Sequence, residues 1–336
     1  MAGVDGFRKM QLGPESTAGT AVAATAIWRG KAGMPDDRRV TAFPEEDVAL
    51  ISGDDRSYVP QYDAGLAFPE TEMTFEQPYI LEAGIKAVGT GVADGAGAGR
   101  LYTYPLPTDA ASLNTLKTYT IESGDNQQAE EMEYAFVEDF KISGKPGEAV
   151  KWSANWRGRQ WTPTTFTGAL SLPTVETILA SKGLLYIDAV GGTLGGTQVS
   201  ASLLGMELNV KTGWRPVFTG DGSLYFNTIE CVRELLEVTL QLTFRHNASA
   251  VSEKANWRAE TARKLRLQYN GSAITAGTAY STKALRIDLA GKWDKFESLG
   301  SEGGIHTSTG VFRARKDATA SLFANIIVVN TLATIP

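Results

Sequence analysis

Between residues 236 and 245 the chain alternates without a fault. Leu236, Val238, Leu240, Leu242 and Phe244 are apolar, and Glu237, Thr239, Gln241, Thr243 and Arg245 are polar. Successive side chains of a β-strand point to opposite faces, so this run specifies a strand with one buried face and one wet face. The same period returns elsewhere. Thr71, Met73 and Phe75 alternate with Glu70, Glu72, Thr74 and Glu76, and Pro78 ends that strand. Phe136, Glu138, Phe140 and Ile142 share a face and lead through Lys145-Pro146-Gly147 into Val150, Trp152, Ala154 and Trp156, a hairpin signal. Leu204, Met206, Leu208 and Val210 alternate with Glu207, Asn209 and Lys211, and a strand returns over 223–227. Further strands are expected at 117–122, 184–190, 284–290, 309–315 and 321–330. Short helices are expected at 79–88, 171–183 and 247–263, the last with Ala255, Ala259 and Ala262 on its packed face. The Gly/Ala-rich stretch 89–99 reads as a flexible surface loop.

At 336 residues the chain is natural for two domains, and 43% hydrophobic residues suffice for a core. The expected division is an N-terminal segment 1–40, a first β-domain 41–170 and a second 171–336. A weak repeat supports duplication: Glu72–Glu76 matches Glu237–Gln241, and the hairpin 136–156 resembles 206–226. The net charge of −6 comes from acids and bases mixed along the chain, with no basic block to grip phosphates. Cys231 is the only cysteine, which excludes an intramolecular disulfide and a cysteine-based zinc site. Residues 1–6 do not resemble a secretory signal and no apolar run approaches a membrane span, so folding in a cytoplasm is expected.

Catalysis needs a cluster of capable groups. His246 and His306 sit near turns, outside any zinc or helical His-Glu pattern. Asp54 and Asp55 are adjacent carboxylates without the alternating ligands of a calcium loop, and a solvated turn suits them better. The loop 191–196 lacks the Lys-Ser/Thr ending of a phosphate loop. Trp152, Trp156 and Trp161 lie among Arg157 and Arg159. Base stacking is one reading, but a shared strand face for Trp152 and Trp156 favours packing. The expectation is a protein that is not an enzyme and carries no cofactor and no metal.

The segment Leu12-Gly13-Pro14-Glu15-Ser16-Thr17-Ala18-Gly19-Thr20-Ala21-Val22-Ala23-Ala24-Thr25-Ala26-Ile27-Trp28-Arg29-Gly30 resembles the N-terminal signature of phage tail tube proteins. The closing strand series, Ala284–Trp293, Gly310–Arg315 and Leu322–Asn330, is similar as well. That resemblance implies a mainly β fold, a tail-tube β-sandwich or split barrel with flanking short helices, here duplicated, whose sheets join across subunits into a channel-lining barrel. It implies a structural virion protein of a siphovirus-like phage. Such a protein is assembled in the host cytoplasm and resides in the virion tail, where stacked rings form the conduit for DNA ejection. The implied partners are further copies of the chain, in a trimeric ring of pseudo-sixfold symmetry or a hexamer, and the tape measure, tail terminator and tail tip proteins. Double-stranded DNA would pass without specific binding, and no membrane is involved. A tail-tip, decoration or adhesin-like β-sandwich accounts for the strands but not for the N-terminal signature.

Two sets of residues follow. Glu70, Glu72, Thr74, Glu76, Glu237, Thr239 and Gln241 form a carboxylate and hydroxyl face suited to line a channel that repels DNA, although an ordinary solvent-exposed face fits them too. Glu15, Thr17, Thr20, Val22 and Trp28 belong either to a loose leader or to an arm that orders on a neighbouring ring. On the arm reading, deleting residues 1–30 weakens stacking more than folding.

Overall fold

The computed structural model describes residues 3–53 and 55–336. The first strands are β1 Lys9–Pro14, β2 Ala26–Ile27, β3 Pro35–Asp37, β4 Ala64–Glu72, β5 Val92–Ala93, β6 Arg100–Pro105, β7 Tyr119–Gly124, β8 Ala129–Gly144, β9 Lys151–Gly158 and β10 Trp161–Thr164. Helix α1, Tyr79–Gly84, follows β4. The later strands are β11 Gly183–Ala189, β12 Leu203–Val217, β13 Thr228–Arg245, β14 Arg263–Ala273, β15 Thr282–Phe296, β16 Gly300–Glu302, β17 Ile305–Ala314 and β18 Ala324–Asn330. Helix α2, Ala248–Arg258, follows β13 and is capped by the Asn247 side chain, which accepts from Ala250 N. The fold is mainly β, as expected, and the sheet is open rather than closed into a barrel.

A central antiparallel sheet runs β3-β4-β9-β8-β12-β13-β17-β15. Alternation gives it one apolar face: Leu66, Phe68, Trp152, Trp156, Phe140, Ile142, Leu208, Val210, Val238, Leu240, Leu242 and Phe312 are all buried. These side chains form one continuous core with Leu12, Ile121 and the α1 residues Tyr79, Ile80 and Leu81, and with Leu265, Leu267, Ile287 and Ile326 from the covering strands. The run Ile326 to Val329 sits in β18, flanked on both edges by β15 and β6.

Two strand series share one plan. In the first, pairing runs β1-β7-β8-β9-β4. In the second it runs β11-β14-β15-β17-β13. Chain order is the same in both, with a helix after β4 and after β13. β8 carries a bulge between Val137 and Asp139, and β15 carries one between Trp293 and Lys295. Leu66 lies opposite Trp156, and Leu240 opposite Phe312. That register matches residues 63–68 with 237–242, and hairpin β8–β9 with β15–β17. The two sequence matches, 72–76 with 237–241 and 136–156 with 206–226, are therefore out of frame. The bulge in β4 between Phe68 and Thr71 reverses its alternation, so residues 72–76 resemble 237–241 in pattern without being their counterparts; only bulges and cross-strand partners fix the frame.

Several local expectations fail for physical reasons. Residues 171–179 are extended: Ile178 N bonds Met73 O and Val150 N bonds Ile178 O, leaving only a short 3-10 turn at Ala180–Lys182. Pro173 and the β-branched Thr174, Val175 and Thr177 suit that better than a helix. The stretch 89–99 is partly ordered, since β5 pairs with β6 and buried Asp94 accepts from Ala279 N and Tyr280 N. Residues 223–227 are loop, and β13 starts at Thr228. On α2 the buried positions are Ala250 and Glu253, while Ala255 and Ala259 are exposed.

The N-terminal segment is part of the fold. β1 pairs with β7 and with β2. Trp28 is 6% exposed and packs against Phe68 and Trp152 at ring separations of 5.2 and 5.9 Å. Truncating a buried tryptophan costs about 3–5 kcal/mol. Trp28→Ala is accordingly expected to lower unfolding stability by about that amount in urea titrations. Deleting residues 1–30 is expected to unfold the chain rather than merely unstack it, which circular dichroism would report.

Candidate functional site

The wet face of the central sheet is where the sequence-derived channel residues gather. Cross-strand register arranges its side chains in rows. One row reads Asn155, Asp139, Lys211 and Glu237. The next reads Ser153, Lys141, Asn209, Thr239 and Arg313. A third reads Lys151, Ser143, Glu207, Gln241 and Val311. Glu72 lies opposite Lys151, and Ser143 Oγ donates to Glu70 at 3.4 Å. Glu70 and Gln241 line the same shallow depression, although β4 and β13 are separated by three strands. Thus Glu70, Glu72, Glu237, Thr239 and Gln241 share one surface.

Thr74 and Glu76 do not. β4 ends at Glu72 as the chain turns toward α1, and both side chains are buried. Glu76 accepts from Lys283 Nζ at 2.6 Å and from Glu176 N at 2.8 Å, an internal tie between the two series. Continuing the alternation past the strand end placed them wrongly.

The face is not the acidic surface that carboxylates alone suggested. Lys141 pairs with Glu207 at 2.7 Å, and Lys211 with Glu237 at 3.1 Å. Arg313 also pairs with Glu237. Arg157 grips Asp63 through two bonds of 2.9 Å and reaches Glu138 at 3.0 Å. Asn155 donates to Asp139 at 2.9 Å. The hydrogen bond from Lys211 holds the Glu237 carboxyl below its ordinary range, with Arg313 adding and some desolvation opposing. Desolvation raises Glu207, but hydrogen bonds from Lys141 and Asn209 outweigh it and the net shift is downward. The basic partners were visible in the sequence as alternating polar positions. Their juxtaposition was not, because it depends on register across strands.

The remaining candidates lie elsewhere. Glu15 is buried, where its carboxylate accepts from Gly19 N, Tyr134 N and the Thr118 and Thr120 hydroxyls at 2.7–3.1 Å. Together with Trp28 it is committed to its own chain's interior and presents no side chain to a neighbour. Thr17 and Thr20 are exposed and Val22 is half-buried. Trp152, Trp156 and Trp161 are buried, so the packing reading holds. Arg159 is held by Phe226 O and Gly19 O and lies over the rings of Tyr134 and Tyr225. His246 and His306 are exposed, and the only link between them is His246 N to His306 O in the backbone. Burial pushes the Cys231 thiol up. Asp54 lies outside the described residues. Among the described residues no group of three or more His, Cys, Asp and Glu could hold a metal ion, and no helix is long and apolar enough to cross a membrane.

An open antiparallel sheet with one self-neutralised wet face describes a structural β-protein. The chain matches the phage tail tube protein family over residues 8–309 and belongs to that family. Comparison with curated proteins gives no match.

Lowered carboxylates stabilise the fold above their unfolded value, here 4.5, and that contribution is lost as pH falls through the folded value. Because these pairs are partly exposed, each is worth about 0–1 kcal/mol. Urea titrations between pH 6 and 3 are expected to show stability falling below about pH 4.5, with a shallower fall in Glu237→Gln.

Proposed function

We propose that this chain forms rings that stack into a phage tail tube, with the wet face of the central sheet turned toward the channel and DNA passing through it during ejection into the host. The observation that carries the reading is the charge pairing on that face. A lysine already held by a glutamate has little to offer a phosphate, since capturing one would require breaking the pair. Adhesion of DNA grows with the number of phosphates neutralised, so a surface whose cations are spent internally lets DNA slide.

The two strand series, residues 9–164 and 183–330, are two copies of one unit, and three chains make a ring of pseudo-sixfold symmetry. The common pairing plan and the matching bulges support this. Ring stacking belongs to the connection between β3 and β4 rather than to residues 15–28. That connection exposes Val40, Phe43, Val48, Leu50, Ile51 and Tyr58, and a cluster of bare apolar side chains on a long loop is a contact awaiting a partner. The tape measure, tail terminator and tail tip proteins are the remaining partners of a siphovirus-like tail assembled in the host cytoplasm.

Removing the acidic halves of the pairs should make the channel sticky. Assembled tubes of Glu207→Gln/Glu237→Gln are expected to retain double-stranded DNA in a salt-sensitive manner on co-sedimentation, while unsubstituted tubes do not. Equal release from both would argue that this face lies outside the channel.

A further inference from the structure

Resting on the stacking reading above, we infer that Arg159 is a positioning residue for the β3–β4 connection. Its guanidinium sits in the turn after Glu15 and fastens the loop 218–227, which joins β12 to β13. That loop in turn holds the foot of the connection.

The seat is built from the N-terminal signature. Thr20 N donates to Thr17 O and closes a tight turn, in which Gly19 takes the third position at φ 77°, a left-handed conformation open to glycine. The Glu15 carboxylate fixes this turn through Gly19 N at 2.7 Å and fixes β8 through Tyr134 N at 2.8 Å. A Cβ added to Gly19 would fall on the Arg159 guanidinium. Glycine is therefore needed twice there, once for the backbone and once for the arginine. Tyr134 is itself held at φ 56° within β8, a conformation that persists only where the surroundings enforce it. Glu15 holds its amide, while its ring lies 4.8 Å from the Arg159 guanidinium and 5.0 Å from the Phe226 ring.

From that seat Arg159 reaches the second series. Nη1 donates to Gly19 O at 2.9 Å, Nε to Phe226 O at 2.8 Å and Nη2 to Asn227 Oδ1 at 3.2 Å. The guanidinium also lies over the Tyr225 ring at 4.8 Å. A planar fork can serve three acceptors on two segments while lying flat on rings, which the point charge of a lysine cannot. Two residues before Phe226, Leu224 O accepts from Tyr62 N at 2.8 Å. Tyr62 is the foot of the β3–β4 connection. Arg39, at the other end of the connection, covers its ring at 4.7 Å, and Ala42 and Tyr58 exchange backbone bonds of 2.8 and 3.0 Å. Beyond that bridge stand the exposed side chains of Val48, Leu50 and Ile51. One arginine thus links the signature turn to the apolar cluster. A connection fixed at its foot has less freedom to lose when it meets a neighbour, so contact is favoured.

Arg159→Lys keeps the charge and removes the fork. In hydrogen exchange it is expected to speed the amides of Tyr62 and of residues 218–227 by roughly tenfold or more, with the β12–β13 ladder unchanged. Tubes in negative-stain micrographs are expected to be clearly shortened. Gly19→Ala is expected to do the same, and the double variant to match either single one, since both break the same contact. Unchanged exchange in Arg159→Lys, additive effects in the double variant, or full-length tubes despite faster exchange would overturn the inference. Leu50→Ser/Ile51→Ser, which leaves the arginine in place, is expected to shorten tubes without speeding exchange at Tyr62. Full-length tubes from that variant would overturn the stacking reading and with it the role of Arg159 in assembly, while the hold of Arg159 on Tyr62 is decided by the exchange rates alone.

Discussion

Six residue pairs between β8 and β12 join the two strand series into one sheet. Without that ladder each series would end in a bare row of N–H and C=O groups, the feature that makes sheets aggregate. With it, the apolar side chains of both halves bury into one core, and the polar side chains fall into common rows. Lys141 reaches Glu207 only because β8 and β12 are neighbours, and Lys211 reaches Glu237 only because β12 and β13 are. Folding, charge neutralisation and the geometry of the free edges all follow from the same register.

On the proposed channel reading, the wet face is charged and yet unadhesive. Its lysines and arginines are numerous enough to attract a polyanion if left alone. Lys141, Lys211 and Arg157 are instead held by carboxylates at separations of about 3 Å, and Arg313 shares Glu237 with Lys211. Such pairs add little stability on an exposed surface. Their value lies in cancelling the field along the sheet, which leaves no continuous positive track.

Much of this was legible in the sequence, and the failures have physical causes. Alternation identifies β8, β9, β12 and β13, because a half-buried strand leaves a period-two signature, whereas the run 70–76 catches only the end of β4, which spans Ala64–Glu72. The buried fate of Trp152 and Trp156 followed from their shared face. Glu76 was misplaced because alternation says nothing about where a strand stops. Glu15 reads as part of a leader or an arm because nothing in the local sequence reveals the four donors, two amides and two hydroxyls, that surround its carboxylate. The repeat was detected in the wrong frame because matching alternation is cheap, whereas the bulges at 137–139 and 293–295 exist only in three dimensions. The helix expected at 171–183 lost to backbone bonds with Met73 and Val150, distant partners that local sequence cannot reveal.

The central claim is that the sheet completes itself through copies of this chain with the paired charges facing inward. A cryo-electron reconstruction of the assembled protein tests it most directly. The account predicts an unbroken antiparallel ladder crossing every subunit boundary, with Lys211 and Glu237 lining the channel. A reconstruction with those side chains on the outer wall, or with the ladder interrupted between subunits, would contradict it.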